Sequence, residues 1–154
     1  MGCECAYACS RNGILKFFEI AFMLVAFAFV MNVIDDVLNN PYCNEIVKDF
    51  YGYRCVPNEY SVFVALTFIV AVNVLLLLVI RTLSDTRIAI RYELVCCFFE
   101  FSFVIIAVVV LTSRIVQYSK VVRRELIGVV IAFLSFPLFL LDAHFAYQKS
   151  AIMF

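Results

Sequence analysis

The chain has 154 residues, of which 66% are hydrophobic and 16% charged, and its formal net charge is zero. Soluble domains carry about 25% charged residues, so this composition indicates one integral membrane domain covering residues 1–154. A neutral chain offers no basic surface for nucleic acid, which we exclude as a partner. The seven cysteines lie in too apolar a chain to indicate a secreted disulfide scaffold.

The amino-terminal segment is rich in cysteine and leads into the first apolar stretch. Cys3, Cys5 and Cys9 are candidates for S-palmitoylation because they lie just before a predicted span, with unmodified thiols as the alternative. The first apolar stretch is too long for the hydrophobic region of a signal peptide, so we expect it to be retained.

Four apolar stretches are long enough to cross a bilayer, at about 1.5 Å per residue against a hydrocarbon core of about 30 Å. They cover residues 14–34, 62–80, 94–112 and 126–147. The second has no charge, proline or glycine and is the clearest. The predicted fold is an all-α integral membrane protein, a four-transmembrane-helix bundle in which Pro137 kinks the last helix. A re-entrant third stretch, leaving three spans, is the alternative.

Residues 35–60 form the longest polar connection, and its charges are mainly acidic. Cys43 and Cys55 lie on either side of its centre, and we expect them to form a disulfide if the loop faces an oxidising compartment. The loop also carries aromatic residues that favour partner binding, with anchoring at the lipid interface as the alternative. The partner-binding candidates are Tyr42, Phe50, Tyr51 and Tyr53.

The orientation follows from the loops rather than from the count of basic residues. Lysine and arginine divide six to six between the two sides, so the positive-inside rule does not decide. An acidic loop with two cysteines suits the extracellular side, and a cysteine-rich tail suits the cytosol. We therefore expect cytoplasmic termini, in the plasma membrane or in vesicles of the secretory pathway.

Each predicted span contributes one polar residue at a similar depth in the half nearer the termini. These residues are Glu19, Asn73, Glu100 and Asp142. Polar groups within spans usually face the bundle interior, so we expect an intramembrane polar layer that fixes helix register. A proton or ion relay is the alternative. Lys16 is expected to snorkel to the interface, and Lys16, Arg91 and His144 lie close enough to reach the layer.

Catalytic and metal-binding motifs are missing from the sequence. There is no HExxH, no glycine-rich phosphate loop, and no Ser–His–Asp set at a common depth. Cys3, Cys5 and Cys9 lack a fourth ligand for a metal. We therefore expect no enzyme activity, no cofactor and no metal site.

The opening of the first span, RNGILKFFEIAFMLVAFAFV, resembles the first helix of MARVEL-domain proteins. In that family a basic residue, a glycine and an apolar-Lys/Arg-x-x-Glu pattern introduce the helix; here these are Arg11, Gly13, Lys16 and Glu19. The stretch AHFAYQKS at the end of the fourth span is also compatible. The resemblance implies four spans, cytosolic termini and a role in vesicle traffic, membrane apposition or cell junctions.

The function that we expect is therefore a non-enzymatic membrane organiser. Its partners would be the lipid bilayer and other integral membrane proteins, or further copies of itself. An accessory subunit of a larger channel, receptor or transporter complex is the main alternative, and a small proton or ion pathway is a third.

Overall fold

A computed structural model describes Tyr7 and residues 9–39, 58–83, 87–117 and 123–152. These residues form five α-helices and, within the described ranges, no strand. The helices are α1 (Arg11–Leu38), α2 (Asn58–Leu83), α3 (Arg87–Gln117), α4 (Arg123–Leu134) and α5 (Phe136–Ile152). The all-α prediction is therefore confirmed.

Four helical segments are long and apolar enough to cross a membrane, with mean hydropathy between 2.3 and 3.0. They are Arg11–Leu38, Asn58–Leu83, Ile88–Val116 and Glu125–Lys149, the last being formed by α4 and α5 together. The third contains enough residues to span about 43 Å, which favours a full crossing over a re-entrant segment. The chain is thus built as a multi-pass membrane protein.

The four spans pack as a square in chain order. The first span contacts α2, α4 and α5, and α3 contacts the same three helices. Within the described chain, the backbone of α1 does not lie next to that of α3, and the backbone of α2 lies next to neither α4 nor α5, so only side chains reach across these diagonals. Successive spans are therefore neighbours that run up and down. One end, here called the terminal end, contains the start of α1 and the end of α5; the opposite one is the loop end.

Each span buries a residue at alternating intervals of three and four, the heptad spacing of left-handed four-helix packing. This buried stripe comprises residues 16, 19, 23, 26, 30 and 33 in α1, and 60, 63, 67, 70, 74, 77 and 81 in α2. It continues through 90, 93, 97, 100, 104, 107 and 111 in α3, and 125, 128, 132, 135, 139, 142 and 146 in the fourth span. The remaining faces are mostly apolar and exposed, as lipid contact requires.

Helices α1 and α4 approach each other closely at Gly128. A Cβ atom at this position would lie 2.9 Å from Val30 Cγ2 and 3.5 Å from the Ala26 carbonyl oxygen. Ala132, one turn later, is fully buried. Two small residues four apart therefore let the two backbones meet, as in other membrane helix pairs.

The fourth span is interrupted at Ser135, between α4 and α5. Pro137 has no N–H, and its ring clashes with the carbonyl group of residue 133, so a regular helix cannot pass through this point. Ser135 accommodates the break: its N–H lies 3.2 Å from the carbonyl oxygens of both Ile131 and Ala132, and its hydroxyl donates to Ala132 at 2.6 Å. The kink expected from Pro137 is therefore present as a break two residues earlier.

Candidate functional site

A polar cluster in the interior of the bundle joins all four spans. The Lys16 cluster consists of Lys16, Glu19, Asn73, Cys97, Glu100 and Asp142. The Lys16 ammonium lies 2.5 Å from Asp142 Oδ2, 3.7 Å from Glu19 Oε2 and 4.0 Å from Glu100 Oε2. The structure thus brings together the four residues predicted to form one layer and adds a lysine and a cysteine.

The expectation that the Lys16 side chain snorkels to the interface is wrong. The residue is 0% exposed, and it is among the largest fully buried side chains of the protein. It lies on the buried stripe of α1, so its ammonium reaches the bundle interior, where three carboxyl groups converge. Attraction to these carboxyls, and above all the short contact with Asp142, replaces hydration of the ammonium.

Two further contacts complete the cluster. The Asn73 amide donates a hydrogen bond to Glu100 Oε1 at 2.6 Å, and the Cys97 thiol donates to Asp142 Oδ2 at 3.0 Å. Lys16 Nζ also lies 3.8 Å from Cys97 Sγ. Asn73 is only half-buried because it lies one position before the buried stripe of α2. It therefore connects the interior cluster to the outer surface between α2 and α3.

The charges of the Lys16 cluster do not balance by themselves, since three carboxyl groups face one ammonium. Both carboxyl oxygens of Glu19, Oδ1 of Asp142 and Oε2 of Glu100 are buried without a hydrogen-bond partner in the described chain. Ionised carboxylates in an apolar interior cost several kcal/mol each unless they are paired. A neutral cluster requires two protons on these three carboxyls.

A second polar cluster covers the terminal end of the bundle. This terminal cluster consists of Tyr7, Arg81 and Glu93. The Tyr7 hydroxyl donates to Glu93 Oε1 at 2.5 Å, and Arg81 Nε lies 2.9 Å from Glu93 Oε2. The Arg81 guanidinium also lies 4.9 Å from the centre of the Tyr7 ring. Burial and the adjacent Glu93 carboxylate raise the pKa of Tyr7, so its phenol keeps the donated proton.

The position of Tyr7 depends on the cap of α1. The Ser10 hydroxyl accepts a hydrogen bond from the Gly13 N–H at 3.3 Å and donates to the Tyr7 carbonyl at 2.5 Å. A serine at this position stabilises a helix by about 1 kcal/mol. The cap thus starts α1 and fixes the turn that places Tyr7 against Glu93.

A third polar cluster lies at the loop end and repeats the same three residue types. In this loop-end cluster the Tyr60 hydroxyl donates to Glu125 Oε1, and the Arg114 guanidinium lies 5.4 Å from the centre of the Tyr60 ring. Tyr60 and Glu125 are both 5% exposed. Each end of the bundle therefore has a tyrosine, a glutamate and an arginine in contact: Tyr7 precedes α1, and the other five residues come from the spans.

An apolar layer separates the Lys16 cluster from the loop-end cluster. Its core residues include Phe63, Val70, Leu111 and Phe139, each at most 1% exposed. The two hydroxyl groups at this level bond to their own helices, Thr67 to the Phe63 carbonyl at 2.9 Å and Ser135 to the Ala132 carbonyl. Within the described chain, these hydroxyl groups therefore do not link one cluster to the other.

The remaining sequence expectations have mixed outcomes. His144, expected to lie close enough to reach the polar layer, is exposed because it is off the buried stripe of α5, and its ring Nε2 lies 2.9 Å from Gln148 Nε2. Arg91 is exposed on α3.

Cys9 is an exposed free thiol. The other predicted lipidation, disulfide and partner-binding residues lie outside the described residues: Cys3, Cys5, Cys43, Cys55, Tyr42, Phe50, Tyr51 and Tyr53. In the described ranges, no group of three or more His, Cys, Asp or Glu could hold a metal ion.

Sequence reasoning missed Arg81, Glu93 and Glu125 because it placed them in the connections. Arg81 is 1% exposed and Glu93 is 0% exposed. A signal was available in the spacing. Glu93 lies seven residues before Glu100, and Arg81 lies fourteen after Thr67, so each belongs to the same helix face as a polar residue within the span.

The opening of α1 and the stretch AHFAYQKS of α5 contact each other at the terminal end. The Arg11 guanidinium lies 5.1 Å from the centre of the Phe145 ring, and Lys16 pairs with Asp142, one residue before the second stretch. Comparison of the chain with protein-family models, with curated proteins and with solved structures gives no match in any of the three.

Proposed function

We propose that this protein is a non-enzymatic membrane organiser that acts through contacts with other membrane proteins, in membrane apposition, cell junctions or vesicle traffic. Its termini face the cytoplasm, and the segment between α1 and α2 faces the extracellular or lumenal side. The resemblance to MARVEL-domain proteins is part of this proposal and supplies the class of process.

The observation that carries the proposal is that the buried ionisable side chains join one helix to another. Lys16, Glu19, Glu100 and Asp142 contact one another across the bundle, and the two Tyr–Glu–Arg clusters join spans at its ends. Such interactions specify helix register and pairing. A bundle built in this way is suited to present its outer faces and loops to partners.

The loop between α1 and α2 is the proposed contact, through Tyr51 and Tyr53. Replacing both with serine should reduce co-purification of a membrane partner by at least about fivefold, because aromatic side chains dominate binding hot spots. The measurement is chemical cross-linking in intact cells, purification of the full chain in mild detergent, and quantitative mass spectrometry.

Tyr147→Ser is the matched control for the loop variant. Tyr147 is 61% exposed and lies at the other end of the bundle, so its loss should leave co-purification and surface expression unchanged. Unchanged co-purification after loss of Tyr51 and Tyr53 would contradict the loop contact.

An accessory subunit of a larger complex is the second candidate, and the exposed aromatic face of α3 favours it. Phe98 and Phe99 are 62% and 58% exposed and lie side by side on the outer surface. A partner docked within the membrane would cover this face. The same purification distinguishes the two functions, because an accessory subunit elutes at fixed stoichiometry with one larger partner.

A further inference from the structure

A cleft opens sideways between α2 and α3, and its lining combines apolar walls with polar groups. Its volume is about 290 Å³. The walls include Ile69, Val95 and Phe99, each about half exposed on the lipid-facing surface. Asn73 and Glu100 also line the cleft, and they hydrogen-bond to each other at 2.6 Å. The cleft thus leads from the outer surface to the edge of the Lys16 cluster.

The depth of these polar groups excludes ordinary hydration. Asn73 lies ten residues, or about 15 Å, from the terminal end of α2, and Glu100 lies thirteen residues, or about 20 Å, from the same end of α3. Both helices are longer than a hydrocarbon core of about 30 Å, and in a core centred on them both positions lie roughly 10 Å inside the edge nearer the terminal end. In that region a polar group without a partner costs several kcal/mol, since lipid tails cannot hydrogen-bond.

Two polar groups at this site have unused hydrogen-bonding capacity. Glu100 is 1% exposed, and its Oε2 atom, 4.0 Å from the Lys16 ammonium, has no partner at hydrogen-bond distance in the described chain. Asn73 is half-buried, and the bond to Glu100 uses only one of its amide hydrogens. A ligand in the cleft would therefore gain a hydrogen bond that the bilayer does not offer.

The polar groups and the size of the cleft favour one class of membrane-soluble molecule, small and uncharged with a hydroxyl group. A hydroxyl group both donates and accepts, so it can bond to the Asn73 amide and to the Glu100 carboxyl in either protonation state of the latter. A charged headgroup would not reach this depth of the hydrocarbon core at acceptable cost. The volume lies at the small end of the roughly 300–1,000 Å³ range of small-molecule sites, which excludes a whole phospholipid.

We propose that the cleft between α2 and α3 is a binding site for a small, uncharged, hydroxyl-bearing lipophile that enters from the bilayer. Its hydroxyl bonds to Asn73 and Glu100, and its apolar body packs on Ile69, Val95 and Phe99. This site is distinct from the loop contact of the proposed function, and its occupancy changes the surface that α2 and α3 present to the membrane.

The test uses the full chain in lipid nanodiscs and two photoreactive probes. One probe is a long-chain alcohol carrying a diazirine in its chain, and the other is its methyl ether, which has the same apolar body but no hydroxyl hydrogen. After irradiation, peptide mass spectrometry locates the labelled residues. The alcohol should label the cleft residues about fivefold more than the ether, as expected for one hydrogen bond.

Two variants test the position of the site. Val95→Trp fills the cleft from a lipid-facing position and should reduce labelling by the alcohol about tenfold, while Leu76→Trp, equally exposed on α2 but outside the cleft, should not change it. Asn73→Leu should reduce the alcohol to the level of the ether. Equal labelling by the two probes, labelling spread over the outer surface, or full labelling of Val95→Trp would overturn the proposal.

Discussion

One buried cation, Lys16, joins the carboxyl groups in the interior of this bundle. Its ammonium is the cation that the described structure places among three carboxyl groups, and it is fully buried. In the sequence it looks like an interfacial lysine near a helix start, the most common use of lysine in spans. Only the convergence of Glu19, Glu100 and Asp142 from three helices makes burial favourable, and one sequence does not show that convergence.

Lys16→Met should strongly impair folding. Removing one partner of a buried ion pair costs about 3–5 kcal/mol, because the remaining charges lose their compensation. We expect a lower yield of monodisperse protein in mild detergent and a lower melting temperature. Arg11→Met is the matched control, since Arg11 is an exposed cation on the same helix whose contact with Phe145 contributes at most about 1 kcal/mol.

The double variant Lys16→Met with Asp142→Leu distinguishes pairing from simple loss of polarity. It should melt closer to the original protein than Lys16→Met does, because two buried carboxyl groups, and not three, are then left without the ammonium. A Lys16→Met chain that folds normally would contradict the structural role. Normal folding of Glu100→Leu with loss of proton flux into liposomes would instead support a proton pathway.

At the scale of the helices, the heptad stripe explains what the sequence could and could not predict. The outer faces are as apolar as the core, so hydrophobic periodicity does not mark the buried side of a span. The polar residues do mark it: Glu93 and Glu100 are seven apart, and both are buried. Asn73 does not belong to this buried stripe; it lies one position before it and is half-buried. Depth alone predicted the polar layer, but only register separates its fully buried members from the half-buried Asn73.

Gly128→Ala tests the close approach of α1 and α4. The added Cβ would lie 2.9 Å from Val30 Cγ2, and the branched valine cannot move away easily. Overpacking of this kind costs about 1–3 kcal/mol, more than the gain of up to about 1 kcal/mol from replacing a helical glycine. The melting temperature should therefore fall.

Val30→Ala added to Gly128→Ala removes the colliding methyl group and should recover most of the lost stability. Ala65→Val is the control for added volume, because Ala65 is exposed on α2 and its new methyl groups would meet lipid. If Gly128→Ala melts at or above the temperature of the original protein, the α1–α4 approach is not limited by this contact.

At the scale of the whole molecule, the number of spans could be predicted from the sequence. The burial of polar residues at the ends of the spans could not. Apolar length alone predicted four crossings, and the helices extend each predicted span at both ends. The extensions contain Tyr60, Glu93 and Glu125, whose polarity had placed them in connections. Tyr60 bonds to Glu125, and Glu93 contacts Tyr7 and Arg81, so these side chains are buried by pairing that composition does not show. The start of α1 and the end of α5 both lie at the terminal end, where Arg11 contacts Phe145.

The last prediction concerns the orientation of the bundle, and Cys9 provides a probe of its terminal end. Cys9 is exposed and free, whereas Cys96 and Cys97 are buried within α3. If the termini are cytoplasmic, a membrane-impermeant maleimide should label Cys9 only after permeabilisation of the cells. Cys43 and Cys55 should label from outside, and only after reduction, because we expect them to form a disulfide.

The measurement uses full-length chains that keep either Cys9 alone or the pair Cys43 and Cys55, with the other cysteines replaced by serine. Hydroxylamine treatment in a parallel sample releases any thioester-linked acyl chain, so a palmitoylated Cys9 becomes reactive and is not mistaken for an inaccessible one. Labelling of Cys9 on intact cells would reverse the orientation. Labelling of both loop cysteines without reductant would exclude the disulfide, and it would leave the loop without the cross-link that lowers the entropy cost of binding a partner.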